Sequence, residues 1–292
     1  MQPIYPLLFD TPIFFKGFRG SVNDDNNYLK MGKVFIITGS SQGIGREIAW
    51  QLAQKGAYVV LNGRNTKKLE ETLHSFQNAQ FNACAISGDV PNPNDCEKII
   101  SYGLNEYGRI DYLINNAGIS AELSPLELLS PDVFKKVIDI NVLGSVNMTI
   151  TALPHIQKQK GGNLFISSLA GIYGLPKAAA YSTSKMALTA LAESLKLELG
   201  SSGLYIGIAY LAFVENDKRK VVLNKDGKLI SQPKFSFSKA KPVDEVASEI
   251  INMIENRIFK NHFSLVGKIF YFMKRLSPWL LEKIMLMINK NR

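Results

Sequence analysis

Short apolar runs alternate with longer segments of helical spacing from Lys33 to about His262. Val34 to Thr38 carries no charge, as expected of a strand buried on both faces. Ile44 to Lys55 repeats its apolar residues at helical intervals and stops at Gly56, and Tyr58 to Leu61 is the next strand. The same reading predicts strands at Phe81 to Ile86, Ile110 to Ile114, Asn163 to Ser167, Tyr205 to Tyr210 and His262 to Val266. Helices fill the intervals. Asn92-Pro93 opens one before Asp95 to Tyr107, and Ser130-Pro131 opens another before Val133 to His155. A further helix, rich in Ala, Leu, Met, Glu and Lys, runs on from Tyr181 to Leu199 and ends at Gly200. Such alternation predicts an α/β fold, a doubly wound parallel sheet of about seven strands in one domain, with its crevice beyond the carboxyl ends of the strands.

The two ends of the chain depart from that pattern. Residues 1–30 contain Pro3, Pro6 and Pro12, an apolar patch at Phe14-Phe15, and the polar run Asn23 to Asn27. They lack a basic start, and Asp10 and the prolines break the apolar stretch, so a loose extension is expected rather than a secretory signal. Met31 directly precedes the first strand and is an expected natural start. The folded unit is then 31–262, with a basic amphipathic helical tail at 263–292. Between sixth strand and tail, residues 215–241 read as a long loop in the position of a lid.

Composition narrows the chemistry. The chain has 292 residues, 46% apolar, enough for one large core. Cys84 and Cys96 form neither a disulfide scaffold nor a metal spacing, and His74, His155 and His262 are dispersed, so no metal site and a cytoplasmic setting are expected. The net charge of +9 is concentrated in the loop around Lys218 to Lys241 and in the tail from Lys268 to Arg292. No helix-turn-helix, zinc finger or aromatic-basic strand accompanies it, and nucleic acid is not an expected partner.

Thr38-Gly39-Ser40-Ser41-Gln42-Gly43-Ile44-Gly45 joins the first strand to the first helix. Glycines there let backbone amides approach a pyrophosphate, and the helix N-terminus adds partial positive charge. Tyr181 and Lys185, four apart on one helix face, pair a phenol with an ammonium, which favours phenolate and makes the tyrosine a usable acid or base. Tyr173 and Lys177 share that spacing, but Gly174 and Pro176 lie between them and no helix is expected.

The Gly-x3-Gly-x-Gly loop, Asn115-Asn116-Ala117-Gly118, Ser168, Tyr181 and Lys185, in this order, resemble the short-chain dehydrogenase/reductase family, classical type, from about Lys33 to Ile258. The resemblance implies a Rossmann-type fold, NADP(H) or NAD(H) as cofactor and a homodimer or homotetramer. It also implies that Ser168 hydrogen-bonds the reacting oxygen, Tyr181 passes the proton, and Lys185 holds ribose hydroxyls while lowering the pKa of Tyr181. Asn141 would complete a proton relay through water; a helix residue bonded to backbone is its other reading. Cofactor contacts are expected from Gly39, Ser41, Gln42, Gly43, Ile44, Gly45, Asn116, Ala117 and Gly118. Asp89-Val90 matches the adenine-contacting pair.

The second strand ends Leu61-Asn62-Gly63-Arg64-Asn65. A carboxylate there would bind ribose hydroxyls and repel a phosphate; with none, and Arg64 and Asn65 at hand, NADP is favoured. One departure stands out, because Leu211-Ala212-Phe213-Val214-Glu215-Asn216 replaces the family's Pro-Gly and later Thr beside the nicotinamide. Val214 is left to contact it through its backbone, with Asn216 in place of the threonine. The reading is an NADP-dependent oxidoreductase for an apolar, lipid-like carbonyl or alcohol. An idle NADP-binding protein and a non-redox isomerase or lyase are the alternatives. The tail, with Phe270 to Met273 and Trp279 to Leu281 among lysines and arginines, suits peripheral contact with an anionic membrane, or else packs on the protein.

Overall fold

The computed structural model describes residues 32–215, 220–232 and 240–290, so the expected extension at 1–30 and Asn216 lie outside it. Its elements begin with β1 (Val34–Ile37), α1 (Gly43–Gln54), β2 (Tyr58–Gly63), α2 (Thr66–Asn78), β3 (Ala83–Ser87), α3 (Pro93–Tyr107) and β4 (Tyr112–Asn115). They continue with α4 (Pro131–Ile138), α5 (Gly144–Lys158), β5 (Gly162–Ser168), α6 (Ala179–Glu198), β6 (Tyr205–Leu211), β7 (Val221–Leu223) and β8 (Leu229–Ser231). The last are α7 (Val243–Glu255), β9 (Lys260–His262), α8 (Leu265–Leu276) and α9 (Pro278–Lys290).

Seven parallel strands form one sheet in the order β3-β2-β1-β4-β5-β6-β9. The order reverses between β1 and β4, which opens a crevice at their carboxyl ends. Each face carries its own core. One joins Phe35, Leu52, Phe76 and Ile250; the other joins Ile36, Ile99, Met148, Phe165 and Leu188. Uncharged strands are therefore what two-sided burial requires.

Thr38 ties the sheet together at the switch point. Its Oγ1 accepts from the amides of Asn116 (3.1 Å) and Ala117 (3.0 Å), so the residues that follow β1 and β4 are held side by side. Gly39 takes φ +63°, and a Cβ there would lie 2.9 Å from the Ala117 Cα.

Three expectations change. The last strand, predicted at His262 to Val266, is instead Lys260–His262, because the Ser264 side chain accepts from Gly267 N at 3.0 Å and starts α8. The helix predicted over Val133 to His155 spans Pro131–Lys158 but loosens into a π turn at Asp139–Leu143. Gly144, directly after that turn, presses on Val90, whose Cγ2 would be 2.4 Å from any Cβ. Within the loop predicted at 215–241, β7 and β8 pair antiparallel, and the fully buried Leu223 packs with Ile119, Val133, Val137, Ile140 and Ala180.

The tail helices are docked on one side. Gly267 allows α8 to approach Leu169 (2.8 Å to an added Cβ), Lys274 Nζ donates to the Ile172 carbonyl at 2.6 Å, and Tyr271 lies 4.5 Å from the His262 ring. Leu281 and Met285 are buried, whereas Leu265, Phe272, Leu276 and Trp279 are exposed.

Thr38→Val keeps the shape but leaves the half-buried Ala117 amide without its acceptor and the Asn116 amide with the Ile114 carbonyl alone, and should cost about 2 kcal/mol of stability. Thr38→Ser, losing only a methyl, should cost about 1 kcal/mol. Denaturant titration checks this; a Val variant as stable as the Ser variant would remove Thr38 as the tie.

Candidate active site

The glycine loop between β1 and α1 is a close-fitting cradle. An added Cβ on Gly45 would meet Asn116 Nδ2 at 2.3 Å and the Gly39 carbonyl at 2.7 Å. Asn116 Nδ2 in turn donates to the carbonyls of Thr38 (2.9 Å) and Gly39 (3.0 Å), fixing the loop's path. Gly43 has φ +58° with open space around its Cα. Gln42 precedes α1 in extended conformation and its side chain caps no α1 amide, so the partial positive charge of the helix start is not neutralised there by a side chain. Ile44 packs into the core and anchors the turn. Backbone of this kind accepts a pyrophosphate and excludes larger residues.

Around the end of β2 the side chains join the strand to its neighbours. Asn62 is buried and donates to the carbonyls of Ile86 and Gly88, both at 3.2 Å, joining β2 to β3. Arg64 Nε lies 3.6 Å from Asp89 Oδ1, an oxygen with no hydrogen bond among the described residues. That unsatisfied acceptor fits the exocyclic amine of an adenine. Asn65 caps α2 by accepting from Lys68 N at 2.9 Å, so its carbonyl oxygen has a structural task besides the expected one. Val90 packs on Gly144, and its carbonyl accepts from Cys96 Sγ at 3.2 Å. Sequence reasoning passed over Lys68, whose Nζ is 3.4 Å from Gln42 Oε1, and Thr72, whose hydroxyl donates to the Ser41 carbonyl at 3.0 Å. Neither contact could be read from the sequence, because each joins α2 to the glycine loop.

At the carboxyl ends of β4 and β5, Ser168, Tyr181, Lys185 and Asn141 converge. Tyr181 and Lys185 share a face of α6, with Lys185 Nζ 5.7 Å from the Tyr181 ring centroid. The ammonium is buried and donates to the Ile166 carbonyl at 2.9 Å. Gly118 leaves room beside it: a Cβ there would be 3.6 Å from Lys185 Nζ and 3.2 Å from Asn141 Oδ1. The Ser168 hydroxyl lies beside Tyr181, where it lowers the phenol's pKa, and Ser168 starts the short turn Leu169–Gly171. Asn141 sits in the π turn with its side chain fully engaged, donating to the Ile119 carbonyl and Ser184 Oγ (both 2.9 Å) and accepting from Ile119 N at 2.8 Å. Ser184 belongs to α6, so Asn141 braces the helix that carries Tyr181. Its backbone carbonyl accepts from Ser145 Oγ at 2.9 Å.

Titration in this cluster differs from expectation. Tyr181 was expected to be drawn down by Lys185; burial instead raises its pKa, and the Ser168 hydrogen bond offsets this only in part. Lys185 is itself pulled down to about 8, first by burial and then by the charge of Lys220. One of the ammonium's three donors is directed at the Ile166 carbonyl. Tyr173 and Lys177 flank a non-helical bend, as the intervening glycine and proline predict, and Lys177 takes φ +60°. Val214 forms an isolated parallel bridge with Lys241, which fixes the backbone after β6.

Residues 33–226 match the family described as short chain dehydrogenase. 11-beta-hydroxysteroid dehydrogenase-like 2 of Arabidopsis thaliana is 38% identical over 187 residues, 64% of this chain and 60% of that protein. The chain thus spans less than two thirds of that relative's length. An uncharacterized oxidoreductase of Listeria innocua is 35% identical over 197 residues, 66% of this chain and 79% of its own. A solved short chain dehydrogenase/reductase of Burkholderia phymatum, in complex with NAD, has the same fold at TM-score 0.74 and 22% identity, covering 86% of this chain and 95% of its own. A family match over more than half of the sequence, on the sheet order that its motifs require, places this chain in the classical short-chain dehydrogenase/reductase family.

Proposed function

We propose that the chain is an NADP-dependent oxidoreductase that interconverts a carbonyl and a secondary alcohol on an apolar, lipid-like substrate. The observation that carries this reading is the meeting of Ser168, Tyr181 and Lys185 at the mouth of the crevice, with only β4 between β5 and the strand that carries the glycine cradle. Gly39, Ser41, Gln42, Gly43, Ile44 and Gly45 would hold the pyrophosphate, Asp89 and Val90 the adenine, and Asn116, Ala117 and Gly118 the adjoining ribose. Val214 would meet the carboxamide through its backbone. When bound, the dinucleotide supplies or accepts hydride at the nicotinamide. Tyr181 gives or takes the proton at its Oη, Ser168 orients the reacting oxygen, and Lys185 reaches the ribose hydroxyls beside Gly118.

NADP is preferred over NAD in this reading because β2 ends without a carboxylate and with Arg64 beside the ribose position. The apolar substrate is argued from exposed Leu123, Leu126, Leu128 and Phe213 around the crevice. Several relatives are named for hydroxysteroid dehydrogenation, a name that agrees with such a substrate. Ile150 and Leu197, exposed on α5 and α6, would support an even-numbered assembly.

The exposed face of the tail, with Leu265, Phe272, Leu276 and Trp279 beside Lys268, Arg275 and Lys283, is proposed to lie on an anionic membrane surface. Its other face packs on the Ser168 turn, so the tail would bring the site close to the bilayer.

Tyr181→Phe should lower turnover by about a hundredfold or more with NADPH binding retained, measured by steady-state rates and cofactor titration. Full turnover in that variant would remove the tyrosine from the chemistry. Phe272→Ser with Leu276→Ser should abolish flotation on anionic liposomes without loss of cofactor binding, and salt should weaken flotation of the unmodified chain. A chain that never floats would end the membrane reading.

A further inference from the structure

We infer that Lys68 is a ligand of the cofactor's 2′-phosphate and supplies the net positive charge on which discrimination between NADPH and NADH depends. The inference rests on the NADP reading above and adds a residue to it.

Three features place Lys68 at that position. The Asn65 cap holds its backbone amide at 2.9 Å and so fixes the first turn of α2 directly after Arg64. Thr72, one turn on, docks α2 on the Ser41 carbonyl at 3.0 Å. The ammonium of Lys68, half-buried, then reaches back to Gln42 Oε1 at 3.4 Å, on the glycine loop itself. Ser41 closes the same gap from below, since a Cβ on Gly63 would come within 3.0 Å of its hydroxyl. Lys68 therefore spans the space between the pyrophosphate cradle and the end of β2.

Charge decides its importance. Arg64 lies 3.6 Å from the Asp89 carboxylate, so to an approaching phosphate the pair carries little net charge. Lys68 is hydrogen-bonded to a neutral amide, and its charge is not compensated by that partner. A phosphate carrying between one and two negative charges gains most from Lys68, which forms no ion pair among the described residues. Arg64 contributes a planar fork that fixes orientation; Lys68 contributes a mobile point charge.

A purely structural Lys68, tying α2 to the loop, would affect both cofactors alike. The test is titration of NADPH and NADH, at low ionic strength, into the full chain and the variants Lys68→Met, Lys68→Arg and Arg64→Ala, with thermal unfolding recorded for each. Lys68→Met is expected to weaken NADPH about tenfold and to leave NADH within about twofold, with Lys68→Arg restoring most of the loss. Equal weakening of both cofactors, or no change in either, overturns the inference. The underlying reading fails separately: an unmodified chain that binds NADH as tightly as NADPH, with Arg64→Ala selective for neither, overturns NADP preference and Lys68's part in it. Selective loss in Arg64→Ala with none in Lys68→Met leaves NADP standing and removes Lys68 alone.

Discussion

The Lys185 ammonium is buried, and a buried ammonium is costly unless fixed dipoles replace its hydration. The Ile166 carbonyl does so at 2.9 Å, and it is available because β5 carries the chain straight to Ser168. Gly118 keeps the space beside the charge open, and Asn141 braces both the Ile119 backbone and α6 around it. Movement of β4, β5 or α6 relative to the others would strand the charge. The sheet register and the position of Tyr181 are thus one problem, solved together.

The same constraint explains why the free site is not poised as spacing suggests. A four-residue separation brings phenol and ammonium to one face, but it does not say where the ammonium points. Here it points to backbone, and burial governs both groups: Tyr181 is held as phenol and Lys185 is weakened as a cation. A positively charged oxidised nicotinamide near the phenol would favour its ionisation, which ties readiness for chemistry to cofactor binding.

Much of this was legible in the chain. The uncharged strand before Gly39, the glycine loop and the Gly-Pro break that disqualifies Tyr173 depend on local sterics, and local sterics are written in short runs of sequence. What escaped depends on distant partners. The β7–β8 hairpin exists because Leu223 finds a pocket formed by Ile119, Val133 and Ala180. The last strand stops early because Ser264 caps a helix that packs on Leu169. Asn141 reads as an ordinary helix residue until the π turn brings it against Ile119. Lys68 gained meaning only when its side chain met Gln42 across two elements.

The most direct measurement is an ultraviolet difference titration, unmodified chain minus Tyr181→Phe, which isolates one phenol among the 11 tyrosines. In the cofactor-free chain the midpoint of the difference signal should lie above the ordinary phenol value of about 10, and oxidised NADP should move it to lower pH. Phenolate forming near neutral pH in the cofactor-free chain would contradict the account, since burial would then not be what holds the proton.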